Sequence, residues 1–204
     1  WKEKAKGHKV FVTPHHMGYQ GGYRGYNWKC FTEGDITPFV EMYSRHGLAE
    51  SDQGDYPYLH DMGPRQWEGT IQYGLELGNK FGIMASTDQH SGYPGSYGDG
   101  RIGVLAPSLT RDAIWEALRT RHVCAATGDK IIIDFRLNDA LMGDVVRGNS
   151  RRIYLNVTGE SCIDYVDIVK NGQILARMSG PLTPVAPEGD TVRCKVKVDF
   201  GWNR

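Results

Sequence analysis

The sequence predicts an α/β domain with parallel strands over residues 1–127 and a small all-β, sandwich-like module over residues 128–204. Three observations carry this expectation. Short apolar runs alternate with helical patterns as far as "AATGDK" (125–130); beyond it, apolar residues recur at every second position; and Asn171-Gly172, a pair suited to the positive-φ positions of a tight hairpin turn, joins two such runs. At roughly 100–200 residues per domain, a chain of 204 residues has room for one or two domains and a sizeable core.

Taken in order, "HKVFVTP" ends at a proline and reads as a buried strand, and "ITPFVEMYSRHG" is a second short apolar segment stopped by glycine. In "WEGTIQYGLELGNK", Ile71, Leu75 and Leu77 recur at roughly helical spacing before Gly78, and "FGIMAST" follows as a strand. "RIGVLAP" is a further extended piece. "LTRDAIWEALRTRH" starts with Thr110 as the N-cap, carries Ile114, Trp115 and Leu118 on one face, and ends in Arg119, Arg121 and His122, where cations suit the helix dipole. Strands alternating with helices predict parallel pairing. After residue 128, "KIIIDFRLN", "RRIYLNVTG", "IDYVDIVKNGQILARM" and "TVRCKVKVDF" read as strands of a sandwich, with the proline-rich "SGPLTPVAPEGD" as a connection.

Composition narrows the partners. Lys and Arg total 24 and so do Asp and Glu, so no strong net field draws the chain to nucleic acid or to an anionic membrane. No apolar run approaches the ~20 residues of a membrane-spanning helix, and "WKEKAKGHK" has no apolar stretch of the kind that marks a secretory signal. The compartment stays open, cytoplasmic or exported. Cys30, Cys124, Cys162 and Cys194 are widely spaced without a CxxC pair, which argues against a zinc ribbon; they are expected to be mostly buried thiols, with Cys162 and Cys194 able to pair after export.

Three segments of the first domain end in ligand-type residues. "VFVTPHHMGY" supplies His15 and His16, "VEMYSRHGLAE" supplies Glu41, His46 and Glu50, and "IMASTDQHSG" supplies Asp88 and His90. In parallel α/β folds the carboxyl ends of strands share one face, so residues distant in sequence meet there. Imidazole nitrogens and carboxylate oxygens suit Zn, Mn or Fe. A bound ion of this kind lowers the pKa of water from about 15.7 towards about 7, which is the chemistry of metal-assisted hydrolysis. Each histidine taken singly also suits an ordinary hydrogen-bonded position, and spacing alone goes no further.

The motifs "VTPHHMGYQGGYRGYNW", "FVEMYSRHGLAES", "ASTDQHSGYPGSYGDG" and "LTRDAIWEALRTRHVCAATGDKIIIDFRLNDALMG", in that order, resemble the group named DUF3604, which is related to the polymerase and histidinol phosphatase (PHP) metal-dependent phosphoesterases. The resemblance implies a distorted β/α barrel with up to three divalent ions at the carboxyl ends of its strands. It puts the closing Asp-x-His on Asp88 and His90, each directed to a different ion. It puts another ligand on His15, with His16 the alternative, and a further one on His46, with Glu50 second.

PHP proteins open with a His-x-His strand, another histidine and a bridging glutamate ahead of the segment matching "VFVTPHH". Those motifs do not precede it here, so the resemblance implies the carboxyl-terminal part of a barrel, an incomplete one with fewer ions. Missing strands would leave open edges, and from these an oligomer or an association with an amino-terminal segment is expected.

The expected activity is that of a metal-dependent hydrolase acting on a small anionic substrate, a phosphoester by kinship, though an amide or sulfate ester suits the same ions. Arg24 in "YRGYNW" is the candidate catalytic cation, able to grip a phosphate with its planar fork; a surface arginine stacked on Tyr23 or Tyr26 is the plainer alternative. His60 and Arg65 lie in a loop that could cover the site, and the glycines between 92 and 100 lack the Gly-Lys-Ser/Thr of a P-loop. The rival expectation is a non-catalytic remnant with a binding or structural role.

Overall fold

The computed structural model describes residues 6–34, 36–51, 63–93, 99–179, 185–188 and 191–196. The chain divides into two compact units, Trp1–Thr127 and Gly128–Arg204.

In the first unit, strands β1 (Phe39–Ser44), β2 (Gly47–Leu48) and β3 (Gly82–Ala85) form a sheet in the order β2-β1-β3, and β4 (Arg101–Val104) pairs with β5 (Val123–Ala126) in a second sheet. Two short α-helices, α1 (Ile71–Glu76) and α2 (Arg111–Arg119), and 3-10 turns at Trp28–Cys30 and Trp67–Gly69 complete it. Both α-helices start as their sequences suggest. Thr70 Oγ1 accepts from Tyr73 N–H and Thr110 Oγ1 from Ala113 N–H, satisfying donors that the first turn would otherwise leave without partners.

The expected α/β fold with an incomplete β/α barrel is not what these residues form. The fold is β-rich, its sheets are small and mostly antiparallel, and no barrel closes among the described residues. Among the strands of the described residues, only β1 and β3 pair in parallel. Two physical reasons account for the difference. "HKVFVTP" joins no ladder: Val12 N–H donates to Ile36 C=O and Pro14 C=O accepts from Glu41 N–H, but Pro14 and Pro38 have no N–H to extend the pairing. The stretch containing α2 does not carry the chain across a sheet; Leu105 N–H donates to His122 C=O, and Val104 sits opposite Val123, so β5 runs back along β4.

The core of the first unit gathers Met17, Trp28, Val40, Ala49, Ile71 and Phe81. Trp28 stacks on Phe81 with ring centroids 5.0 Å apart, and its indole N–H donates to Thr70 C=O at 3.0 Å, so the ring buries its apolar area without orphaning its donor. α2 is held differently, through Trp115 stacked on Phe11 at 3.9 Å. β3 and β5 pack closely: a Cβ at Gly82 would lie 2.7 Å from Val123 Cγ2, so only glycine fits.

The second unit is built from β6 (Ile132–Leu137), β7 (Ala140–Leu141), β8 (Ile153–Gly159), β9 (Tyr165–Lys170), β10 (Gln173–Ser179), β11 (Val185–Glu188) and β12 (Thr191–Val196). A five-stranded antiparallel sheet in the order β11-β12-β8-β6-β7 accompanies the β9–β10 hairpin. Period-two alternation sends Ile133, Phe135, Ile153, Leu155 and Val157 from the sheet, and Val166, Ile168 and Met178 from the hairpin, into one core. Asn171 and Gly172 both have positive φ, 52° and 73°, the conformation of a type I′ turn. β11 occupies part of the stretch expected as a connection.

The thiols depart from expectation too. Cys30 and Cys162 are free and exposed, and Cys124 is free and half-buried.

Candidate functional site

Parallel pairing of β1 and β3 brings their carboxyl ends to the same edge, with Tyr43 opposite Ala85. Ser86 N–H donates to Tyr43 C=O at 2.9 Å, and Arg45 N–H to Thr87 C=O at 3.4 Å, so the two segments leaving the strands stay together. His46 belongs to the two-residue link Arg45-His46, since Ser44 pairs with Gly47 across β1 and β2, and Ser44 Oγ accepts from His46 N–H. Asp88 lies just past β3. The third contribution arrives after Pro14, whose carbonyl is tied to β1, and is anchored by the buried Met17.

The structure brings His15, His16, His46, Asp88 and His90 together. Asp88 Oδ2 is 3.1 Å from His16 Nε2, 3.5 Å from His46 Nε2 and 3.9 Å from His15 Nδ1, while Oδ1 is 3.3 Å from His90 Nε2. Two sets result, His15/His16/Asp88 and His46/Asp88/His90, each with its ligand atoms within 4.8 Å of one another and both sharing Asp88. His46 is buried, with its Nε2 turned to the carboxylate, whereas His90 is largely exposed. Of the adjacent pair, His16 is nearer Asp88 and more buried than His15, and both belong to the first set. Glu50, the second choice in its segment, is in neither set.

His16 and Asp88 both adopt positive φ, 56° and 44°. That conformation costs a residue with a Cβ about 1–2 kcal/mol and persists where surrounding structure enforces it, often at functional sites.

Electrostatics favour an ionised Asp88. Partial burial works against the carboxylate, but the hydrogen bond shared with His16 and the nearby charges of His46, His15 and His16 outweigh it and leave its pKa below the ordinary 3.8. Burial is also the main influence on His16, lowering its pKa from 6.5 despite the opposing bond to Asp88, so the neutral, ligating form of the imidazole is favoured.

Glu41 was seen in the sequence as ligand-type but carried no role in the expected set. It is buried on β1, its side chain accepts a hydrogen bond from Ser86 Oγ, its backbone N–H donates to Pro14 C=O, and burial raises its pKa above 4.5. It therefore ties together two of the three converging segments. Beside it lies a cavity of about 10 Å³ lined in part by His16, Glu41, Ser44 and His46, about the size that holds one water.

Arg24 is on an exposed turn with its guanidinium 5.6 Å from the Tyr23 ring centroid, the stacked arrangement that was its plainer reading. Arg65 pairs through its backbone with Tyr19, and His60 lies outside the described residues. Sequence reasoning overlooked Arg45, whose guanidinium reaches Gln89 between Asp88 and His90. Its position next to His46 was the available signal.

No protein-family model matches the chain, and no solved structure matches it. It is 28% identical over 153 residues to an uncharacterized protein of Chlamydia pneumoniae, an alignment covering 67% of this chain and 25% of that protein. An uncharacterized protein of Chlamydia trachomatis is 27% identical over 169 residues, covering 74% of this chain and 27% of that protein. One from Chlamydia muridarum is 28% identical over 154 residues, with 67% and 25% covered. The chain thus spans about a quarter of the length of the curated relatives it matches, and it is similar to a segment of each.

Proposed function

We propose that this chain carries the metal-binding site of a metal-dependent hydrolase whose substrate is a phosphoester. The observation that carries the reading is the convergence of four imidazoles from three separate segments on the two oxygens of Asp88, with His16 and Asp88 held in an unfavourable backbone conformation. Nitrogen and carboxylate donors at this spacing fit Zn, Mn or Fe. His15, His16 and Asp88 would hold one ion, and His46, His90 and the shared Asp88 a second. A bound divalent ion supplies Lewis acidity towards water and an ester oxygen.

The chain's own residues do the rest. Asp88 stays ionised, Glu41 ties the segment before His15 through Pro14 C=O and the Asp88 segment through Ser86, and the β1–β3 pairing sets His46 against Asp88 and His90. The motif resemblance to DUF3604 and PHP phosphoesterases supports the phosphoester over other substrates.

The test is to load the protein with Mn, Zn or Fe(II), measure retained metal by mass spectrometry, and assay aryl phosphate monoesters, phosphodiesters, carboxylic esters and sulfate esters. Turnover of a phosphoester, reduced about 100-fold or more in D88N, is the expected result, because loss of supporting groups around a metal already costs 10–100-fold. Absence of both bound metal and turnover would overturn the proposal in favour of a non-catalytic role.

A further inference from the structure

Resting on the hydrolase reading above, we propose that Arg45, held by Gln89, receives a tetrahedral oxyanion of the substrate at the rim of the metal site, which selects phosphoryl or sulfuryl esters against neutral esters and amides.

The argument begins with the link between β1 and β2. Its two residues diverge in use: His46 is buried with its imidazole at Asp88, and Arg45 is exposed beside it. Arg45 Nη1 donates to Gln89 Oε1 at 2.7 Å. Gln89 stands between the ligand residues Asp88 and His90, and it is itself tethered, its Oε1 accepting from Ser91 N–H at 3.3 Å and its N–H donating to Thr87 Oγ1 at 3.3 Å. The Arg45 backbone is bound to Thr87 C=O as well. Thus the guanidinium is fixed at both ends of the pair, against the segment that carries two ligands.

The choice of partner is the informative part. Arg119 is forked onto Glu116, Arg136 onto Asp134 and Arg177 onto Asp167, and Arg152 Nη2 donates to both Asp139 oxygens, so each of those charges is met by a carboxylate. Arg45 is instead anchored by a neutral carboxamide through a single nitrogen. A guanidinium has five N–H donors, and this bond uses one. An anchored, uncompensated cation beside positions for two divalent ions raises the local potential, which is unfavourable until an anion arrives. The planar fork suits two oxygens of a phosphate or sulfate; a neutral ester or amide offers no charge to it.

The test uses Mn-loaded and Zn-loaded full chain, with metal content measured by mass spectrometry and binding of inorganic phosphate, sulfate and acetate by calorimetry. In the Mn form, phosphorus-31 relaxation reports the approach of phosphate to the metal without any turnover. R45Q is expected to keep its metal and to weaken phosphate or sulfate by about 10-fold to 100-fold, the worth of hydrogen bonds to a charged group. R45K, keeping charge without the fork, should fall between parent and R45Q, and R119Q, altering a guanidinium already paired to Glu116, should match the parent. Tighter phosphate assigns the ester as phosphoryl, and equal or tighter sulfate assigns it as sulfuryl. If R45Q keeps metal and phosphate affinity alike, or if acetate binds as well and with the same dependence on Arg45, the inference falls while the hydrolase reading stands. If the parent takes up no metal, both fall. Should R45Q lose metal, R45K decides: unchanged oxyanion affinity overturns the inference, and weakened affinity with metal retained supports it.

Discussion

Replacing Gly100 with alanine should damage the site without touching a ligand. Gly100 leads into β4 and lies against the end of β3, where an added Cβ would sit 2.5 Å from Ser86 O and 2.9 Å from both Ser86 N and Ala85 Cβ. Ordinary contact starts near 3.4 Å, so the two backbones must part by about 0.9 Å. Neither obstructing group at Ser86 is a side-chain tip that can swing away. Ser86 N–H holds Tyr43 C=O, and Ser86 Oγ holds Glu41, so the displacement acts on the pairing that sets Asp88 relative to His46. Overpacking of this kind costs about 1–3 kcal/mol of stability. A misplacement near 1 Å can reduce function by about 100-fold where geometry is decisive. Thermal unfolding followed by circular dichroism and Zn titration of the folded protein would measure both effects. A G100A protein with unchanged midpoint and unchanged metal affinity would refute the claim that this contact positions the site.

Two further outcomes can be measured, one at the site and one in the second unit. Because both ligand sets contain Asp88 and only one contains His90, saturating metal should give two ions per chain in the parent, one in H90A and none in D88A, read by mass spectrometry after gel filtration; equal content in H90A and D88A would contradict a shared carboxylate. In the second unit, Arg177 Nε and Nη2 grip the two Asp167 oxygens at 2.8 and 2.7 Å, and that hydrogen bonding holds Asp167 below its ordinary 3.8. A depressed carboxylate contributes stability above its unfolded-state pKa and loses it as pH falls through the folded value. D167N should therefore unfold at a slightly lower temperature than the parent near neutral pH, with the difference shrinking below about pH 3.8, and a gap that persists in acid would contradict the assignment.

How much of the fold could be read in advance varied with the reach of the interactions involved. The Thr110 cap, the Asn171-Gly172 turn and the alternation along β6, β8, β9 and β10 are contacts within a few residues or a single strand's choice of face, and each was legible. Strand direction was not. The alternation of apolar runs and helices around α2 looked like a parallel unit, yet β4 and β5 are antiparallel, because an amphipathic helix buries its stripe equally well whether the chain then crosses the sheet or turns back. The loss of "HKVFVTP" as a strand came from Pro14 and Pro38, whose missing donors matter only once two segments are set beside each other.

For the candidate site, the residue types at His15, His16, His46, Asp88 and His90 were sufficient to suggest metal chemistry, since donor type is a property of the side chain. Their spacing could not show that His15, His16 and His46 gather at one oxygen of Asp88 while His90 meets the other, nor that Glu41 is bonded to Ser86 and Arg45 to Gln89. The amino-acid sequence alone determined the local turns, caps, buried faces and donor inventory. Tertiary structure decided strand direction and which distant donors meet, because a hydrogen bond or ligand distance of about 3 Å between residues dozens of positions apart depends on how strands pair and not on the order in which they are written.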